Sequence, residues 1–183
     1  MTIRTCVLTL SLVLAAACAS SERSIDRVWA DLEVEADRST PLADPDARAE
    51  EAIAERADEA RRIAKSGELK SGRDHLRAAV LLAESKSPAD WMLAAELGRQ
   101  AMELGEPLGL RVAAEAIDKD LVHQGLPQRF GTQFTWDEAR ATWRLHPIDP
   151  AMTDAERAAM SVPSYAELIA AEFALNERAA GKP

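Results

Sequence analysis

The sequence predicts a mainly α-helical protein of antiparallel helical hairpins, with a small β-hairpin or irregular loop near residues 128–146. Alanine, leucine, glutamate and arginine dominate the chain, whereas glycine contributes only 8 of 183 residues and aromatic residues only 4%. Such a composition is typical of helices. Apolar residues also recur at the three-to-four spacing of one helix face, and capping residues, prolines and glycines separate these stretches.

Residues 1–17 have the form of a secretory signal peptide. Arg4 provides a basic start, and the stretch "CVLTLSLVLAAA" that follows is almost wholly apolar. It is shorter than the roughly 20 residues that a membrane-spanning helix requires.

Residues 15–18, "AAAC", resemble the lipobox of bacterial lipoproteins. The resemblance implies a diacylglyceryl group on the sulfur of Cys18, cleavage before Cys18 and a fatty acid on the new amino terminus. Ala19 and Ser20 include no aspartate, which favours the outer membrane, with the protein facing the periplasm. The alternative is cleavage by the ordinary signal peptidase, after Ala17 or Ala19.

The net charge and the cysteine content indicate which partners and which covalent bonds to expect. The chain has a net charge of −9, so it repels phosphate backbones and no nucleic-acid partner is expected. Cys6 leaves with the signal peptide and Cys18 is acylated, so no disulfide is expected in the mature chain. The expected partners are the membrane, through the lipid on Cys18, and an envelope protein.

Residues 18–45 are expected to hold the lipidated amino terminus, a short helix and a linker, and residues 46–180 the helical domain. The short helix has one apolar face, formed by Ile25, Val28, Trp29 and Leu32. The stretch "STPLADPDA" at 39–47 has the composition of a linker. The short helix is therefore a candidate arm between the lipid and the domain.

Four longer helices follow, each with its own start and stop signals. The starts are Asp44 before Pro45, the capping box Ser71 to Asp74, Ser87 with Pro88 and Asp90 at N1 and N3, and Pro107; the ends are at Gly67, Gly105 and Gly125. Short turns between such helices force antiparallel neighbours. The shape resembles a tetratricopeptide-like stack, although neither its 34-residue period nor its W-x₂-L-G-x₂-Y pattern is present.

The chain changes character after Gly125. Residues 129–134 and 141–146, on either side of the polar stretch "TWDEA", are predicted to form the β-hairpin. Thr153 is expected to cap a further helix, and Ser161 and Ser164 resemble helix caps. A last helix is expected to bury Leu168, Ala171 and Leu175.

One segment resembles a known family. Asp118-Lys119, followed by Gly125, Pro127, Gln128, Phe130, Gly131, Thr132 and Gln133, is similar to the signature of the domain-of-unknown-function 6624 family, roughly D-R, then G-x-P-Q-x-[FY]-G-T-Q. The resemblance covers about residues 47–178 and implies a helical domain, often secreted, without an established activity. By this resemblance, the chain departs from the family's pattern at three positions. Arg77, Ala83 and Glu84 stand where the family often carries a histidine and a Gln-His pair.

The same segment supplies the candidate site residues. Gln128, Arg129, Thr132, Gln133 and Trp136 are candidates for ligand binding, but the favoured interpretation is that the loop's polar side chains tie irregular backbone to helix ends. Asp118 is expected to form an ion pair with Arg129 or Lys119. His75, His123 and His146 lack zinc-binding spacings, no glycine-rich phosphate loop occurs, and no metal or cofactor is expected.

Three functional hypotheses follow. The first is a lipid-anchored envelope protein whose helical domain is a binding module. The alternative is a hydrolase or ligand-modifying enzyme with Asp118, His123 and Gln133 as catalytic candidates. The third is a purely structural envelope lipoprotein.

Overall fold

A computed structural model describes residues 25, 26, 28 and 45–180, and confirms the fold class as mainly helical with one small antiparallel hairpin. Its elements are α1 (Pro45–Ser66), α2 (Gly72–Ala83), α3 (Pro88–Glu103), α4 (Leu108–His123), β1 (Phe134–Asp137), β2 (Thr142–Leu145), α5 (Asp154–Ala159) and α6 (Tyr165–Ala180). The predicted signal peptide, Cys18, the cap Asp44 and residues 39–44 of the predicted linker lie outside the described residues, whereas residues 45–47 of that stretch are the first turn of α1. No helix in the described ranges is long and apolar enough to cross a membrane.

Most of the predicted helix boundaries are confirmed. Ser71 and Asp74 form the predicted capping box of α2, and Thr153 caps α5 in the same way with Glu156. Gly67, Gly105 and Gly125 all follow helix ends with positive φ, as glycine does after a helix.

Ser87 stands at the N-cap of α3 and Pro88 follows it, as predicted, although the side chain of Ser87 makes no bond to the start of the helix. The prediction of a cap at Ser161 is wrong. Ser161 stands just past the end of α5 with φ +55°, so it ends one helix and does not begin the next.

The first four helices form a stack in which α3 packs most extensively on α4 and α2, and α2 also contacts α1 and α4. Small residues allow α3 and α4 to approach closely. A Cβ atom on Gly98 would lie 2.5 Å from the carbonyl oxygen of Gly109. The main core includes Ile63, Leu82, Trp91 and many fully buried alanines, which confirms the predicted central position of the stretch "AAVLLA" in α2.

The β-hairpin is shifted from its predicted position. β1 and β2 pair antiparallel with Trp136 opposite Trp143, so β1 begins where the first predicted strand ends. The first predicted strand, at 129–134, fails because the carboxylate of Asp118 binds its backbone amides and Gly131 has φ +91°. Three amides that converge on one carboxylate, with a left-handed glycine among them, make this stretch curve around Asp118 and prevent an extended strand.

Helix α6 lies along the hairpin and binds the outer edge of β2. Asn176 accepts a hydrogen bond from the amide of Trp143 and donates one to its carbonyl, while Glu172 accepts from the amide of Leu145. Only one of the three residues predicted to lie inside is buried: Leu168 is 4% exposed. Leu175 is half-buried and Ala171 is exposed, since α6 faces the hairpin with polar side chains there.

Three residues of the predicted short helix, Ile25, Asp26 and Val28, contact the helical domain. Ile25 and Val28 are each 4% exposed and belong to the main core, and Asp26 forms an ion pair with Arg77 of α2. The interpretation of this stretch as an arm between the lipid and the domain is therefore wrong at Ile25, Asp26 and Val28.

Candidate functional site

The centre of the predicted site is the carboxylate of Asp118 on α4, which is fully buried. Its oxygens accept hydrogen bonds from the backbone amides of Arg129 (2.7 Å), Phe130 (3.0 and 3.2 Å) and Thr132 (3.0 Å). The hydroxyl of Thr132 donates a further bond at 2.9 Å. The negative charge is thus stabilised by backbone dipoles and a hydroxyl group.

A second fully buried side chain, Gln128, supports the entrance to the hairpin. Its Nε2 donates to the carbonyl oxygens of Gln133 (3.1 Å) and His146 (2.9 Å), and its Oε1 accepts from the amide of Gln133 at 2.8 Å. The side-chain amide thereby bonds like a peptide group beside residues 133 and 146, just before β1 and just after β2.

The remaining loop residues close the space between α4 and α6. Gln133 Nε2 donates to the hydroxyl of Thr132 at 2.9 Å and approaches the carbonyl oxygen of Glu115 at 3.4 Å. A Cβ atom on Gly131 would overlap Leu168 and come within 2.8 Å of Ile148. Glycine is required at this position both for its φ of +91° and for this close approach.

The hydrogen bonds favour a structural role for the loop, since Gln128, Thr132 and Gln133 bind backbone groups, Asp118 and one another. The carbonyl groups that they bind belong to residues beside the hairpin and to Glu115 within α4, and not to the helix ends that were predicted. The ion-pair expectation for Asp118 is wrong. Lys119 donates to the carbonyl oxygen of Ala83 at 2.6 Å, and the exposed guanidinium of Arg129 lies 5.9 Å from the centre of the Phe130 ring. Asp118 reaches Arg129 only through its backbone amide.

The structure does not bring the three catalytic candidates together. Asp118 and Gln133 meet through Thr132, whereas the exposed ring of His123 packs edge-on against Trp91, with ring centres 5.4 Å apart. Trp136 packs against Trp143 within the hairpin, with ring centres 5.6 Å apart.

An open groove of about 550 Å³ lies away from the Asp118 loop, between α1 and the turn that joins α2 to α3. We call it the α1 groove; it is lined by α1 from Glu50 to Arg61 and by residues from Glu84 to Asp90. The indole nitrogen of Trp91 donates to the carbonyl oxygen of Ser85 at 2.7 Å and fixes the turn. Sequence reasoning missed this groove, because its two walls are far apart along the chain.

One end of the α1 groove is built on a nearly buried ion pair. Arg61 donates from Nε and Nη2 to the two carboxylate oxygens of Asp90 at 2.6 and 2.7 Å, and Asp90 is 1% exposed. Burial raises the pKa of Asp90, but the hydrogen bonds from Arg61 and Ser85, together with the positive charges of Arg61 and Lys65, outweigh it and leave that pKa below its ordinary value. The hydrogen bonds to Asp90 and Asp58 raise the pKa of Arg61 above its ordinary value.

No protein-family model, curated protein or solved structure matches this chain. The resemblance to the domain-of-unknown-function 6624 family therefore stays a prediction. No group of three or more histidine, cysteine or acidic side chains with metal-binding geometry occurs among the residues that the structure describes.

Proposed function

We propose that this chain is a lipid-anchored protein of the bacterial cell envelope whose helical domain binds another envelope protein. Cleavage before Cys18, acylation of that residue and retention at the outer membrane, facing the periplasm, complete the proposal. The sequence around residues 15–18 supports the anchor, and the resemblance to a family of often secreted helical domains agrees with it.

One contrast supports binding over catalysis. Asp118 and Gln128 are fully buried and their polar atoms bind loop backbone, whereas the α1 groove is open and large enough for several side chains. A buried carboxylate held by backbone amides is a poor candidate for proton transfer to a substrate. An open groove on a helical stack is typical of a binding surface.

The anchor is tested by growing the bacterial host with radiolabelled palmitate. We expect the label in the mature protein of the membrane fraction, and its loss when Cys18→Ser is introduced. Cys6→Ser is the matched control, because it removes the chain's other cysteine and leaves the proposed attachment site in place. An unprocessed, unlabelled chain in the cytosolic fraction would contradict the proposal.

Binding is tested by cross-linking in intact cells followed by affinity capture. We expect one envelope protein to be recovered reproducibly with the natural chain and to be lost with Ala54→Trp, which fills the floor of the α1 groove. Ala166→Trp, on the exposed side of α6, is the control and should retain the partner. Empty capture, or equal loss with both variants, would count against a binding role for the groove.

A further inference from the structure

The α1 groove has an apolar floor. Ile53 and Ala54 precede Ala57 by four and three residues on α1, so each shares a face with Ala57. Ala57 is 1% exposed and Ile53 is half-buried, while Ala54 is exposed. An amphipathic segment could bury apolar side chains on this floor.

The rim of the α1 groove is acidic. Five carboxylates and two basic groups line it. Both basic groups are already paired. Arg61 binds Asp90 and Asp58, and the Nζ atom of Lys86 lies 2.6 Å from Oε1 of Glu50. Glu51 and Glu84 are exposed and form no ion pair with any residue that the structure describes. The groove therefore presents uncompensated negative charge around an apolar surface.

The charge of the chain argues against the protein itself as the occupant. Residues 29–44, "WADLEVEADRSTPLAD", contain five acidic residues and one basic residue. A second copy brings a net charge of −9. Either occupant would bring like charge to the rim, which is unfavourable at short range.

We propose that the α1 groove binds a cationic amphipathic segment of a partner protein. Apolar side chains of the segment cover Ile53 and Ala54, and its lysines or arginines face Glu51 and Glu84. The inference rests on the proposed binding role of the domain and adds the class of partner. It does not depend on lipid attachment.

The test uses residues 18–183 with Cys18→Ser, a chain that retains every residue the structure describes. The probe is a fluorescent peptide of about 14 residues, with leucine and lysine placed to give one apolar and one basic helix face. We expect saturable binding that weakens as salt is raised, because the rim contacts are exposed charges. A peptide with glutamate in place of lysine should bind at least about tenfold more weakly, since like charge then faces the rim.

Two double variants separate local from general charge effects. Glu51→Lys with Glu84→Lys should weaken binding of the basic peptide about tenfold or more. Glu103→Lys with Glu138→Lys changes the net charge equally at exposed positions outside the groove and should leave affinity within about twofold. Equal loss in both variants, or equal binding of the acidic peptide, would overturn the proposal.

A third variant tests whether the groove is free. Ala54→Cys places the sole thiol of this chain on the groove floor, because Cys18 is replaced and Cys6 precedes residue 18. We expect the thiol to react with a maleimide in the free protein and to be protected by the basic peptide. Protection already present in the free protein would show that residues 29–44 or a second copy cover the floor, and would overturn the proposal.

These outcomes are independent of the anchor. If the peptide does not bind, the cationic-segment proposal fails, but palmitate labelling of Cys18 and cross-linking to an envelope protein still test the proposed function. Loss of palmitate labelling would remove the anchor and leave the peptide result unchanged.

Discussion

Asp118 is a buried carboxylate that no cation neutralises in the part of the chain that the structure describes. Three backbone amides and the Thr132 hydroxyl surround it instead. Charge-assisted bonds of this kind are about twice as strong as neutral ones. The residue therefore holds the loop that joins α4 to the hairpin, and its chemistry is structural.

We predict that Asp118→Ala lowers the free energy of unfolding by about 3 kcal/mol or more, because it leaves buried amides without acceptors. Urea denaturation followed by circular dichroism measures the loss. Asp120→Ala is the control, since the carboxylate of Asp120 accepts a hydrogen bond from the exposed side chain of Gln124, and it should cost less than about 1 kcal/mol. If Asp118→Ala left the free energy of unfolding unchanged, the loop would not need the carboxylate.

The ion pair between Arg61 and Asp90 makes stability depend on pH. The folded state has the lower pKa for Asp90, so the pair stabilises the fold above the unfolded pKa of about 4 and loses this effect as pH falls through the folded value. We predict that Asp90→Asn costs about 2–3 kcal/mol at pH 7 and that the difference from the natural chain shrinks below about pH 4. Urea denaturation at several pH values measures both.

Asp58→Asn provides the control for this pair. Asp58 binds the same guanidinium, but its side chain is 71% exposed, so we expect a change below about 0.5 kcal/mol at every pH. A pH-independent cost for Asp90→Asn would mean that packing, and not charge, accounts for its effect.

At the residue scale, sequence patterns could not reveal these contacts. Asp118 bonds amides 11 to 14 residues away, and Arg61 and Asp90 are 29 residues apart. The polar loop residues were recognisable from the G-T-Q segment, and their bonding role was predicted. Their partners depend on how α4 and the loop pack, which local spacing does not encode.

Helix boundaries were predictable because their causes are local. A capping box spans four residues, and a glycine after a helix satisfies its end within one turn. The hairpin was predicted about five residues too early along its first strand, because the bonds to Asp118 hold residues 129–132 out of the sheet. The alternation of apolar and polar side chains predicts a strand, but it does not reveal a distant carboxylate that binds the amides of that strand.

The crossing of α3 and α4 depends on glycine. In an ordinary helix interior, glycine to alanine stabilises a protein by about 0.5–1 kcal/mol. At Gly98 we predict the opposite sign, a loss of about 1–3 kcal/mol, because the added Cβ would meet the backbone of Gly109 at 2.5 Å. Thermal unfolding measures the change.

Glu103→Ala, at an exposed position of the same helix, is the control and should change stability by less than about 0.5 kcal/mol. Stabilisation by Gly98→Ala would show that α3 and α4 can separate at little cost.

For the whole molecule, the packing of Ile25 and Val28 extends the core beyond the four-helix stack. The apolar face of this stretch was recognised from its spacing, but its docking was not, because the intervening linker separates it from α1 in sequence. The α1 groove escaped prediction for a similar reason, since α1 forms one wall and the α2–α3 turn the other.

We predict that Ile25→Ser lowers the free energy of unfolding by about 1.5–3 kcal/mol, the value of one buried aliphatic side chain. Asp26→Ser removes only a surface ion pair with Arg77 and should cost less than about 1 kcal/mol. Urea denaturation of residues 18–183 with Cys18→Ser compares the two. If both substitutions changed the free energy of unfolding by equally small amounts, this stretch would not contribute to the core and would act as an arm between the lipid and the domain.

The buried position of Ile25 sets a distance limit if Cys18 is acylated as proposed. Six residues lie between the two positions, and the seven residue-to-residue steps of a fully extended chain reach at most about 25 Å. However residues 19–24 are arranged, the point where the chain enters the core stays that near the bilayer. A protein captured by the domain is then held within about one domain's width of the bilayer, so a longer spacer inserted after Ser20 should widen the range of partners that the domain can reach.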